Sequence, residues 1–152
     1  MTISLASPAE LDSAIGASVT GEWFAIEQER IQAFADATED WQWIHLDAAR
    51  AASGPFGSTI AHGYLTLSLL PRLTAGLLAV GGTSMVVNYG LDRVRFLQPV
   101  VVGSRVRAVV EVASAEPTPQ GFRVGLTTTV ELEGSSRPAL VAQSIGLLVP
   151  EA

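Results

Sequence analysis

Four runs rich in Val, Leu and Thr fill the second half of the chain: Thr83–Phe96, Ser104–Ala115, Gly121–Glu133 and Ala139–Val149. Turn-forming residues divide them, at Gln98-Pro99, Pro117-Thr118-Pro119-Gln120-Gly121 and Glu133-Gly134-Ser135-Ser136. β-branched residues suit a pleated surface, and Gly, Pro, Asn and Ser suit reversals. Polar and apolar residues alternate along Arg105-Val106-Arg107-Ala108-Val109-Val110-Glu111-Val112, the period of a strand with one face in the core. Connections this short cannot carry a parallel crossover, so the strands pair antiparallel.

The first half supplies what that sheet can bury. Pro8–Ile15 reads as a short opening helix, Ser18–Ile26 as a strand and Glu27–Thr38 as an amphipathic helix. Tyr64–Val80 reads as a helix that is apolar nearly all round and hence buried, with Gly81-Gly82 as its stop. The plan is α+β: an antiparallel sheet of five strands wrapped around a central helix, as one domain spanning residues 1–152. One helix cannot cover both faces of such a sheet, and its edges need partners, so a homodimer is expected.

Composition removes several classes of function. Hydrophobic residues make up 48% and charged residues 16%, the balance of a globular protein. The net charge is −6 with no Lys/Arg cluster, which argues against nucleic-acid binding. The chain has no cysteine, so disulfides, thiolate metal sites and a Cys nucleophile are excluded. The apolar stretch Leu65–Val80 is interrupted by Thr66, Ser68, Pro71, Arg72, Thr74 and Gly76, a poor pattern for a membrane span. The N-terminal residues lack a signal-peptide pattern, and a cytoplasmic location is expected.

Both histidines, His45 and His62, fall in the polar, turn-rich region before the buried helix. In Asp40-Trp41-Gln42-Trp43-Ile44-His45 a carboxylate and an imidazole converge if the chain turns between them, and together they can hold a water and move its proton. Read alone, the spacing is weak evidence, and Asp40 as a turn cap with His45 as a structural hydrogen-bonder is the commoner reading. In Ala61-His62-Gly63-Tyr64-Leu65 a glycine opens the helix, where free N–H groups can bind an oxyanion; an ordinary helix start is the alternative, with His62 bracing it. Asn88-Tyr89-Gly90-Leu91-Asp92-Arg93-Val94-Arg95-Phe96 reads as a half-buried strand with a solvated polar face, in which Gly90 marks a bulge or a close backbone contact. Ser68 can hydrogen-bond near the site, although a buried Ser bonding its own backbone is the plainer reading.

Taken together and in this order, the three segments resemble the MaoC-like dehydratase family, which includes the (R)-specific enoyl-CoA hydratases. The resemblance runs from Phe34 to Val100. The family's motif is an Asp, a spacer usually written x-Asn-Pro-aliphatic, and a His. Here Asp40, Ile44 and His45 match, and Gln42-Trp43 replaces Asn-Pro. That replacement is similar to a subgroup carrying Asp-x-Gln-Trp-Ile-His, which includes nodulation-protein-N-like members and mycobacterial hydratases.

The resemblance implies a hot-dog fold, side-by-side dimers and an acyl tunnel between helix and sheet. It implies reversible hydration of a trans-2-enoyl-CoA to a (3R)-hydroxyacyl-CoA, with Asp40 and His45 as the acid–base pair and the Gly63 N–H as the oxyanion donor. Tyr64, Ser68, Asn88 and Gly90 are the candidate substrate-binding residues. The partner is an acyl-CoA or acyl-carrier-protein thioester, and neither a metal nor another cofactor is expected. Two other readings keep the fold and change the activity: an acyl-CoA thioesterase, and a non-catalytic acyl-thioester-binding subunit of a heteromeric complex.

Overall fold

A computed structural model describes residues 1–152. The chain passes through β1 (Ile3–Leu5), a 3-10 helix (Pro8–Ala14), β2 (Ser18–Thr20), β3 (Phe24–Ala25), α1 (Gln28–Thr38), α2 (Trp43–Leu46), α3 (Ala48–Ala52), α4 (Gly63–Ser68) and α5 (Leu70–Leu73). It continues through β4 (Leu78–Val80), β5 (Thr83–Phe96), β6 (Arg105–Thr118), β7 (Gly121–Leu132) and β8 (Leu140–Pro150). The four long strands form the expected antiparallel sheet, in the order β6-β7-β8-β5. The β6–β7 turn is tighter than the sequence suggests. Pro117 and Thr118 stay in the ladder, opposite Phe122 and Gly121, so only Pro119-Gln120 connects the strands.

The Ser18–Ile26 segment is two strands rather than one, which makes the sheet six-stranded. β2 and β3 both pair with β6, at Val19↔Val110 and Phe24↔Val106, and the chain leaves the ladder between them. Gly21 sits at that break. A Cβ there would lie 3.0 Å from the Leu73 carbonyl oxygen, so a larger residue would push the end of α5 away from the sheet.

The expected helix over Tyr64–Val80 is broken. It divides into α4 and α5, and its last residues form β4, which pairs parallel with β1. Pro71 has no N–H for the Leu67 carbonyl, and its ring crowds that carbonyl, so the helix cannot run through. Gly76, at φ 74, then turns the chain out of the helical path. Leu78-Ala79-Val80 is a short apolar run, which periodicity cannot assign to helix or strand. Nor is the helix buried all round, since Tyr64 is 70% exposed.

Even so, the bent segment fills the curve of the sheet. Leu65, Leu69, Leu70, Leu73 and Leu77 pack with Val106, Ala108 and Val110 of β6, Val130 of β7, and Leu140 and Ala142 of β8. Each such leucine contributes roughly 1.5–3 kcal/mol through burial. A smaller cluster of Leu11, Ala14, Val112, Val124 and Leu148 closes the other end.

β5 is an edge strand. It pairs only with β8, and register shifts on both sides of Gly90 confirm a bulged ladder there. The strand is not half-buried as its alternation suggests: only Thr83 and Val94 are partly covered, while Met85, Val86, Val87, Tyr89, Leu91 and Phe96 are exposed. No helix is long and apolar enough to cross a membrane.

Candidate active site

α1 ends at Glu39, whose left-handed backbone (φ 60) reverses the chain. Asp40 follows at once, and the one-turn helix α2 carries His45 back into the protein. His45 is 5% exposed and held from several sides. Its Nδ1–H donates to the Ile60 carbonyl at 2.7 Å, and the Ile60 N–H donates to the Ile44 carbonyl at 3.0 Å. The His45 carbonyl accepts from Gln28 Nε2 at 2.8 Å, and Gln28 Oε1 accepts from the buried Thr59 hydroxyl at 2.6 Å. A carbonyl only accepts, so Nδ1 carries the proton and Nε2 keeps its lone pair.

The half-buried Asp40 carboxylate accepts long hydrogen bonds from the Gln42 backbone N–H (3.4 Å) and Gln42 Nε2 (3.3 Å). Gln42, one of the two residues that depart from the motif, thus orients the carboxylate. Trp43 packs its ring against Gly54, where a Cβ would lie 3.2 Å from it, and under the Arg50 guanidinium at 4.2 Å. One ligand atom each from Asp40, His45 and His62 lie within 4.8 Å of one another, and Asp40 forms no ion pair with either ring. Burial pushes the His45 pKa below its ordinary 6.5; the Ile60 carbonyl opposes this, His62 adds to it and the Asp40 charge opposes it. His45 is therefore a neutral base near pH 7.

His62 precedes α4 but does not cap it with its side chain. Its Nε2–H donates instead to the Asp40 backbone carbonyl at 3.0 Å, and its ring stacks on His45 with centroids 3.7 Å apart and planes 23° off parallel. Phe34 packs against the same ring at 5.0 Å. Gly63 opens α4, and no acceptor within the chain takes its N–H. The Phe96 ring covers Gly63, and the exposed Tyr64 ring meets Phe96 edge-on at 6.1 Å.

The fold therefore gathers Asp40, His45, His62, Gly63 and Tyr64, and it leaves three candidates outside this cluster. Ser68 lies exposed at the end of α4, and its hydroxyl does not bond its own helix as a buried serine would. Asn88 and Gly90 lie on the open face of β5, and Gly90 makes no close contact, since a Cβ there would meet nothing within 4 Å. Gln28 and Thr59 escaped the sequence reading: they are 31 residues apart, and no local pattern links them. A mostly apolar cavity of about 470 Å³ lies between the α5–β4 segment and the sheet, lined in part by Leu77, Val80, Met85, Val110 and Leu148. None of the clustered polar residues lines it.

One carboxylate and two imidazoles are also donors that a divalent cation takes. Here the two rings are stacked, so their in-plane lone pairs lie in nearly parallel planes, with ring centroids 3.7 Å apart.

The description of the MaoC-like domain matches residues 10–133. The chain belongs to the MaoC-like dehydratase family. Among the relatives of this MaoC-like chain is 3-hydroxyacyl-thioester dehydratase Z of Mycobacterium tuberculosis, 52% identical over 141 residues that cover 91% of this chain and 93% of the relative. Nodulation protein N of Rhizobium leguminosarum bv. viciae is 45% identical over 148 residues, covering 93% and 91%. Among solved MaoC-like structures, the unliganded R-hydratase PhaJ1 from Pseudomonas aeruginosa superposes with a TM-score of 0.77 at 28% identity, covering 99% of this chain and 89% of that one. The sheet and its bent helical segment are thus the hot-dog fold of MaoC-like hydratases.

Proposed function

We propose that this protein adds water reversibly to a trans-2-enoyl thioester, giving a (3R)-3-hydroxyacyl thioester, with Asp40 and His45 as the acid–base pair. The observation that carries the reading is their spacing. Two acceptor atoms within 4.8 Å that do not touch fit one water donating to both, since two hydrogen bonds of ordinary length at a tetrahedral oxygen span about 4.5 Å. The relatives support the chemistry: one is named a 3-hydroxyacyl-thioester dehydratase, and the PhaJ1 structure is described as an R-hydratase.

In this reading the Asp40 carboxylate and His45 Nε2 hold the water over C3. The thioester carbonyl oxygen accepts from the Gly63 N–H. As the water oxygen bonds to C3, its proton passes to Nε2 and the C2=C3 π electrons move toward the carbonyl as an enolate. The enolate collapses when C2 takes a proton from the acid–base pair, so one water is added and nothing is oxidised or reduced. Dehydration retraces the path. α4 has six residues, so the oxyanion donor is the single amide rather than a long helix dipole.

The exposed Tyr64 and Phe96 rings beside Gly63 form an apolar wall for the thioester arm. A homodimer fits the open edge of β5, which carries exposed apolar side chains on an unpaired ladder. Two-fold antiparallel pairing of β5 with its copy sets the Phe96 end, beside Gly63, against the Ser84–Val86 end, which borders the apolar cavity. Each site then adjoins the other subunit's cavity, which offers space for an alkyl chain. The deciding experiment follows loss of enoyl absorbance with crotonyl-CoA and with longer enoyl-CoAs, with chiral analysis of the product. Thiol release without hydration would mean a thioesterase and overturn the proposal.

A further inference from the structure

His62 is a buried polar residue for which the reaction above has no use. It is 2% exposed, and its Nδ1 has no hydrogen-bond partner. An unpaired buried polar atom costs about 1–3 kcal/mol, and an apolar ring of the same shape would avoid that cost. The cost is offset only if another part of the ring does something an apolar ring cannot.

Three contacts define that role. The Nε2–H holds the backbone carbonyl of Asp40 at 3.0 Å, across 22 residues of sequence. One ring face supports the His45 imidazole at 3.7 Å. The next residue in the chain is Gly63, whose N–H is free. Asp40 lies on a loop after α1, His45 on the four-residue helix α2 and Gly63 at the head of α4, and neither an ion pair nor a hydrogen bond joins Asp40 to His45. Short separate elements do not hold side chains in register unless something ties them together.

We infer that His62 is a positioning residue: it fixes the acid, the base and the oxyanion amide relative to one another, through the Asp40 backbone, the His45 ring and its own peptide bond to Gly63. It touches no reacting atom. The inference rests on the hydration reading. Misplacement of a reacting group by about 1 Å can cost up to about 10²-fold in rate. The titratable groups facing His45 are Asp40, from the loop after α1, and His62, ahead of α4; its other neighbours Gln28 and Thr59 are uncharged.

The test compares His62→Phe, which keeps the supporting ring and removes the Asp40 contact, with His62→Gln, which keeps an N–H donor and removes the ring. Crotonyl-CoA hydration is measured from pH 5 to 9, with circular dichroism to verify folding. The expected result for His62→Phe is a fall in kcat of up to about 10²-fold with KM little changed. The acidic limb of kcat/KM should move to higher pH, because His62 helps to lower the His45 pKa. Wild-type kcat and an unmoved limb in folded His62→Phe would make His62 a space-filler and overturn the inference. If His62→Phe does not fold, the same two readings on His62→Gln decide. Asp40→Asn and His45→Gln are run alongside. If they are inactive while His62→Phe behaves as wild type, only the His62 inference fails; if they keep full activity, the hydration reading and the inference fall together.

Discussion

The ring of Phe96 lies flat enough over Gly63 that a Cβ at that position would sit 3.2 Å from two of its carbons. Strand and helix start are thus fitted to the absence of a side chain, next to an N–H that no group in the protein uses. The two properties can be tested apart.

Gly63→Ala adds only the Cβ, and the partly exposed Phe96 ring can yield by a few tenths of an ångström. A modest fall in kcat is expected. Gly63→Pro closes a three-carbon ring at a position where helices accept proline, and its Cδ replaces the N–H hydrogen. Its kcat should fall by a further 10²–10³-fold or so, the usual cost of losing one oxyanion donor. Steady-state kinetics on both folded variants measures the difference.

Asp40→Asn and His45→Gln should each lower crotonyl-CoA hydration by about 10²–10⁴-fold, the range for general acid–base help. Asp40 is half-buried on a loop, so Asp40→Asn should unfold near the wild-type temperature, whereas His45 is buried and its Nδ1–H serves the Ile60 carbonyl, so His45→Gln should cost about 1–3 kcal/mol while still folding. The double variant should be little worse than the weaker single one, since each member of the pair acts through the other.

pH dependence follows from burial of His45. Its folded pKa lies below 6.5, so kcat/KM should hold to mildly acidic pH and fall only through that lower value. The stability effect has the same direction. The unfolded chain takes the proton first, so the contribution from His45 is full above 6.5 and is lost as pH falls through the folded value. Urea unfolding at a series of pH values between 7 and 5 checks this.

Thr59→Val removes the 2.6 Å hydrogen bond to Gln28, the residue that holds the His45 carbonyl. It leaves a part-buried amide oxygen unpaired, so a loss of about 1–3 kcal/mol is expected by urea unfolding. kcat should fall more than KM rises.

Leu91→Lys puts a charge on the open edge of β5, where leucine is 48% exposed. If the proposed homodimer forms through β5, light scattering should show a shift toward monomer, and activity should drop with it. A variant that remains a full dimer would mean that the subunits meet elsewhere.

The long strands were legible because alternation and turn residues repeat over tens of residues. The closeness of Asp40 and His45 was legible because they sit five apart within a recognisable motif. The helix break was harder to see: in sequence Pro71 merely interrupts an apolar run, yet it divides α4 from α5. The exposure of β5 was hidden for a different reason, because alternation reports which faces a strand has and not whether anything covers them. The Gln28–Thr59 brace and the His62 hydrogen bond to Asp40 join residues 22 or more apart, and only tertiary packing brings them together.

The Nδ1–H of His45 faces the Ile60 carbonyl whether Nε2 is bare or protonated. Imidazole and imidazolium both present a hydrogen at Nδ1, so gaining a proton at the far nitrogen breaks no bond and asks for no rotation. The tether also tightens when the ring becomes positive. In the proposed reaction the base would pass through its charged state and back without its surroundings rearranging, and each turnover would begin from the same geometry in which the last one ended.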